Sequence, residues 1–88
     1  MIKKEIEIQN KHGIHTRPAT VFVEAAGKFK SDIFLSYNGE RVNGKSIMGL
    51  LILAVEPGAT IELETNGPDE QEAMDKLVEI IDNKFYTE

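Results

Sequence analysis

The segment Gly13-Ile14-His15-Thr16-Arg17-Pro18-Ala19 gathers the residue types needed to hold a phosphoryl group and hand it on. His15 supplies an imidazole nitrogen, a nucleophile that works at neutral pH. Pro18 marks the first turn of a helix, where its missing N–H would have had no partner and its fixed φ suits the helical backbone. The helix turns its unpaired N–H groups and the positive end of its dipole toward His15. Such an end disfavours imidazolium and favours phosphate by about 0.3–1 kcal/mol each, and by more when partly buried. Arg17 adds a planar fork of donors matched to phosphate oxygens and can neutralise the group once it is attached. His15 or Thr16 fills the cap position; in either case the Thr16 and Arg17 N–H groups are free for an oxygen. Gly13 permits a tight approach of the loop. A histidine in a cap region is by itself an ordinary loop residue, but Gly13, Arg17 and Pro18 around it turn the segment into a compact phosphoryl site.

A second segment, Val42-Asn43-Gly44-Lys45-Ser46-Ile47-Met48-Gly49-Leu50, opens a short apolar helix. Ser46 is its N-cap, with an oxygen for the Met48 or Gly49 N–H that is worth about 1 kcal/mol. Leu50 to Leu53 is an unbroken apolar run that a helix cannot turn wholly inward, so apolar surface is expected near Ser46. His12, three residues before His15, raises an H-x-x-H metal site. Two imidazoles without a carboxylate or thiolate partner form a weak ligand set, and a loop histidine near the pocket is the better account.

These residues need elements to place them. Ile2, Ile6 and Ile8 alternate with Lys3, Glu5 and Glu7 as a half-buried strand. Ala19, Phe22, Val23 and Ala26 recur at helical spacing over Thr16 to Ala26, with Gly27 as the C′ residue. Asp32 to Tyr37 and Glu40 to Asn43 flank Asn38-Gly39, the signature of a type I′ hairpin. The Ile47 to Leu53 helix follows, then the Glu56-Pro57-Gly58 turn. A strand over Thr60 to Thr65 turns Ile61 and Leu63 inward, and Gly67-Pro68 breaks it. Asp69 and Glu72 form a capping-box start for a helix with Ala73, Met74, Leu77, Ile80, Ile81 and Phe85 on one face. The order is β-α-β-β-α-β-α, an α+β layer pair on a mainly antiparallel sheet, whose first six elements follow the ferredoxin-like order. One domain over residues 1–88 accommodates all of it.

Composition narrows the chemistry. The 88 residues contain no cysteine, which excludes disulfide frameworks, thiolate catalysis and Cys-x-x-Cys metal carriers. No cofactor or metal is called for. The amino terminus lacks an apolar signal core and no apolar run reaches membrane-spanning length, so a cytoplasmic soluble protein without membrane insertion is expected. Net charge is −5, yet residues 1–46 hold eight basic against five acidic side chains and residues 47–88 two against ten. Either the positive excess serves the site, with Lys11, Arg17 and Lys45 as neighbours of His15, or an acidic last helix produces the imbalance. With no basic cluster, nucleic-acid binding is disfavoured. A small phosphatase of ferredoxin-like order would need a phosphate-cradling arginine near the amino terminus, and residues 1–12 have none.

The His15 segment resembles the active-site signature of the HPr family, histidine-containing phosphocarriers of the phosphoenolpyruvate:sugar phosphotransferase system, and the Ser46 segment resembles the family's second signature. The likeness spans the chain in length and element order. It implies an open-faced β-sandwich, with a four-stranded antiparallel sheet and three helices on one face. By that resemblance His15 accepts phosphate on Nδ1 from phosphorylated Enzyme I and passes it to the A domains of sugar permeases. Arg17 pairs with the phosphate, with Thr16 and Pro18 supporting it. The chain is then a carrier rather than a free-standing catalyst. Ser46 matches the serine that HPr kinase/phosphorylase modifies in many relatives, some of which also engage a catabolite-control transcription regulator. Ile47, Met48 and Leu51 match the family's docking residues, and Thr20 lies one turn beyond Thr16. A relay protein that docks several partners through one face is best served as a monomer. A nitrogen-branch or mainly regulatory relative would share the same site chemistry. The sequence departs from the family pattern at Thr16, where alanine is commoner, at His12, where a small polar residue is usual, and at Ile52, which is bulkier than usual.

Overall fold

Alternation along the strands places Ile6, Ile33, Leu35, Ile61 and Leu63 on one face of a sheet, all buried, and that shared face decides the architecture. The computed structural model describes all 88 residues. The elements are β1 (Ile2–Glu7), α1 (Thr16–Ala26), β2 (Asp32–Tyr37), β3 (Glu40–Asn43), α2 (Ile47–Leu53), β4 (Thr60–Asn66), α3 (Glu70–Asp82) and a 3₁₀ turn over Lys84–Tyr86. The four strands lie in the order β1-β4-β2-β3, and every neighbouring pair is antiparallel. β1 and β2 run the same way with β4 between them, and β3 and β4 run the same way with β2 between them. The chain thus interleaves two split β-α-β units. Ile6 faces Ile61, and Leu35 faces Leu63.

The helices cover only that apolar face. α1 contributes Ala19, Phe22 and Ala26, α2 contributes Leu50 and Leu53, and α3 contributes Ala73, Met74, Leu77, Ile80 and Ile81 to one contiguous core cluster. The outer face of the sheet stays open. There Glu64, only 6% exposed, is paired with Arg41 at 3.0 Å, and the Arg41 guanidinium lies 3.6 Å above the Phe34 ring. This stack shields one strip of the uncovered face and neutralises its most buried charge. At the β2–β3 hairpin, Asn38 and Gly39 both have positive φ, as the type I′ turn requires.

Three expectations about helix ends are corrected. Gly27 is the C-cap of α1 but stays right-handed, at φ −64 and ψ −16. The chain keeps turning beyond it, with the Lys28 and Phe29 N–H groups donating to Ala25 and Ala26, so no left-handed reversal is needed. Asp69 is the N-cap of α3 without a side-chain cap bond. Its carboxylate instead accepts from the Lys30 N–H, the Ser31 N–H and the Ser31 hydroxyl, donors that the α1–β2 junction would otherwise leave unpaired. Glu70, not Glu72, reaches back to the Gly67 N–H. Phe85 is fully buried but lies beyond α3, in a turn where Lys84, Phe85 and Tyr86 all have positive φ. Such backbone costs about 1–2 kcal/mol per non-glycine residue, a cost set against burying an aromatic ring.

The Ser31 hydroxyl, the Lys30 N–H and the Ser31 N–H hold the Asp69 carboxyl down from its ordinary 3.8 to about 2. A carboxyl depressed in the folded state stabilises the fold above its unfolded value, and that contribution is lost as pH falls through the folded value. Urea midpoints measured between pH 4.5 and roughly 2 should therefore fall more steeply for the wild type than for Asp69→Asn, with the two curves converging at the acid end.

Candidate functional site

The His15 loop is built on a turn that several anchors hold. The Gly13 N–H donates to the Asn10 carbonyl at 3.2 Å, and the Ile14 N–H donates to the Val55 carbonyl at 3.0 Å. The buried Asn10 side-chain amide donates to the Gly13 carbonyl. The Lys11 N–H donates to the Glu88 carboxylate, so the end of the described chain folds back under the turn. Gly13 has φ +69, and a Cβ there would sit 2.2 Å from the Val55 carbonyl oxygen. Only glycine satisfies both demands.

Beyond this turn His15 is the N-cap of α1, extended at φ −116 and ψ −164, and its imidazole makes no cap bond. Its carbonyl takes the Ala19 N–H at 2.9 Å as the first helical bond. The His15, Thr16 and Arg17 N–H groups have no backbone partner, and Pro18 has none to offer. The helix therefore ends in free donors beside an uncommitted imidazole, a ready site for an anion. His15 is partly exposed, Thr16 and Arg17 are exposed, and Pro18 is buried against the core. The Arg17 guanidinium forms no salt bridge with any carboxylate. Thr20, one turn along α1, ties its hydroxyl to the Thr16 carbonyl at 2.8 Å.

His12 occupies the third position of the Asn10–Gly13 turn and brings its ring to 5.7 Å from the His15 ring, centroid to centroid and edge-on at 79°. No third histidine, cysteine or carboxylate joins the two to make a metal cluster.

Ser46 caps α2, its hydroxyl oxygen accepting the Gly49 N–H at 3.0 Å. It lies at the opposite end of α2 from the His15 loop, because Val55, which holds Ile14, follows the helix C-terminus. Seven helical residues separate the two ends by about 10 Å. On the outside of α2, Ile47 is 39% exposed, Met48 65% and Ile52 63%, while Leu50 and Leu53 are buried. Leu51 is half-buried against the core. Ile52 is thus a larger part of the apolar surface than Leu51, which the family resemblance assigned to it; only the orientation of the helix reveals this. Lys45 is corrected as well. Its ammonium donates to the Phe29 carbonyl at 2.7 Å, beyond the far end of α1 from His15, so it does not join the site. The sizeable surface cleft lies elsewhere, lined by Glu5, Ser36, Tyr37 and Thr60 among others. The His15 region is an open shoulder.

A small open-faced β-sandwich with an uncommitted histidine at a free helix N-terminus is the class of protein that fold and site together define. The family model described as the PTS HPr component phosphorylation site matches residues 2–83. A phosphocarrier protein HPr of Neisseria meningitidis serogroup A is 51% identical over 85 residues, covering 97% of this chain and 96% of the relative. A crystal structure of HPr-C-His from Thermoanaerobacter tengcongensis superposes with a TM-score of 0.95 at 45% identity, covering 100% of this chain and 99% of that one. Crh of Bacillus subtilis, a catabolite-repression protein whose crystal structure shows a domain-swapped dimer, aligns at 44% identity and a TM-score of 0.77, covering 96% and 97% of the two chains. The chain belongs to the HPr family.

Gly13→Ala should displace the turn, since the added methyl meets the Val55 carbonyl and a positive φ is retained only under strain. We expect a loss of more than about 1 kcal/mol in chemical denaturation, with amide shift changes concentrated at residues 10–16 and near Val55.

Proposed function

We propose that this protein is a phosphocarrier of the phosphoenolpyruvate:sugar phosphotransferase system. It accepts a phosphoryl group on His15 from phosphorylated Enzyme I and delivers it to the A domains of sugar permeases. The observation that carries this reading is the uncommitted His15 imidazole beside three free N–H groups of the α1 start. In the forward step an imidazole nitrogen of His15, Nδ1 by family likeness, forms a bond to phosphorus. The donor histidine's nitrogen–phosphorus bond breaks, and its electron pair returns to the donor ring. The second transfer repeats the exchange with His15 as donor. Both bonds are of one chemical kind, so the group stays reactive. The α1 end and Arg17 add charge-assisted bonds to its oxygens without enclosing it. The chain is a carrier acting with its partners' active sites rather than a free-standing catalyst. It works in the cytoplasm as a monomer, with Ile47, Met48, Leu51 and Thr20 in the docking surface.

Ser46 is the proposed regulatory site, open to HPr kinase/phosphorylase and, once modified, to a catabolite-control regulator. A phosphate on Ser46 suits the α2 start but adds about two negative charges beside the exposed Ile47 and Met48. At about 10 Å from the far end of the helix, its effect on His15 runs through docking rather than contact. A mainly regulatory role is the second reading, favoured by the likeness to Crh.

Incubation with phosphoenolpyruvate and Enzyme I should place acid-labile phosphate on the wild type and none on His15→Ala; undiminished label on that variant would refute the carrier role. Arg17→Ala should slow transfer by roughly tenfold or more, the scale of one lost charge-assisted contact. Ser46→Asp should raise the apparent KM for Enzyme I-dependent phosphorylation, and unchanged kinetics would count against the regulatory role.

A further inference from the structure

The turn that supports His15 also delivers a second imidazole to it. His12 projects from a segment held by the Gly13-to-Asn10 and Ile14-to-Val55 bonds, by the Asn10 amide and by Glu88 on the Lys11 N–H. Its approach to His15, 5.7 Å between ring centroids, is therefore a property of an anchored turn and not of a free loop. His12 is exposed and makes no hydrogen bond to another protein group, so its ring nitrogens are available. The oxygens of a phosphoryl group on His15 lie two bonds beyond the ring nitrogen that carries it, and the neighbouring His12 ring is 5.7 Å away between centroids.

Resting on the carrier role, we infer that His12 is a proton-dependent ligand of the phosphoryl group on His15. Protonated, it places a cation and an N–H donor beside the phosphoryl oxygens; neutral, it contributes only a weaker dipolar contact. Histidine is the side chain that makes this change near neutral pH. Other charges act on the same turn. Lys11 sits beside His12, Glu88 holds the Lys11 N–H, the backbone of Glu56 lies against Gly13, and Arg17 lies in the first turn of the next helix. None of these four gains two negative charges during the cycle, whereas the His15 side does on phosphorylation. The phosphorylated protein therefore binds the His12 proton more tightly, and by linkage the protonated His12 holds the phosphoryl group more tightly. The extra retention is complete below the midpoint of His12 in the unphosphorylated protein. It disappears as pH rises through the higher midpoint of the phosphorylated one. The carrier then gives up its group more readily in a more alkaline medium.

The test uses the whole protein with Enzyme I and phosphoenolpyruvate. Proton NMR titration should show the His12 ring midpoint rising by roughly half to one pH unit on phosphorylation of His15, equivalent to about three- to tenfold tighter proton binding. The ratio of phosphorylated to unphosphorylated protein at a fixed phosphoenolpyruvate-to-pyruvate ratio should change with pH by that same factor more in the wild type than in His12→Asn. The phosphoryl group titrates in both proteins, so the comparison reads the difference between the two profiles, which belongs to the coupled His12–phosphoryl pair. A His12 midpoint that does not move, or identical profiles for wild type and His12→Asn, would overturn the inference while leaving the carrier role intact. His12→Lys, a permanent cation, should hold the phosphorylated fraction high at alkaline pH; a wild-type profile there would also count against it. Failure of Enzyme I to phosphorylate the wild type would instead overturn the carrier role, and the inference with it.

Discussion

The approach of Gly13 to the Val55 carbonyl sets the geometry of the histidine shoulder. No methyl group fits between them, and the neighbouring Ile14 N–H closes the same contact with a hydrogen bond. Through this joint the loop before α1 is tied to the end of α2, which the sheet and core hold in turn through Leu50 and Leu53. His15 thereby starts a helix at a defined angle, and His12 is carried to its side. Without the joint the same residues would still be adjacent in sequence, but no imidazole would be aimed.

A relay residue must hold its cargo firmly enough to carry it and loosely enough to release it. Free N–H groups at the start of α1 and an unpaired Arg17 provide attraction by dipole and charge. The partial exposure of His15 keeps that attraction in a high-dielectric setting, where it stays modest. The surface cleft is located elsewhere, and the proposed transfer needs only that a partner's active site reach an open shoulder. Ser46 lies at the other end of α2, beside Ile47 and Met48, so one short helix connects the His15 loop to the serine and the apolar surface.

The sheet explains how so small a chain affords such a face. Three helices cover one side, and the other is left to water and to the Arg41–Phe34–Glu64 stack. A chain of 88 residues has too little material for a third layer. Its helices are then free to present their outer surfaces and ends, where His15, Thr16, Arg17, Ser46, Ile47 and Met48 lie.

Local chemistry was legible in the order of residues. Pro18 after His15, Asn38-Gly39 between alternating runs and Ser46 before an apolar run each act through neighbours a few positions away. The helix start, the hairpin and the α2 cap follow from sequence for that reason. Tertiary structure decided what depended on distant partners. Asp69 abandoned its own helix for N–H groups 38 and 39 residues away, and Glu88 reached Lys11 across 77. Lys45 left the site for the Phe29 carbonyl, and Phe85 left the helical stripe to fill the core through a left-handed turn. Whether His12 faced His15 or solvent belonged to the same class, because a turn's direction is set by what it packs against. The sequence by itself determined which groups could hold a phosphate; only the folded packing determined which of them meet, because unpaired donors and buried rings seek partners through space rather than along the chain.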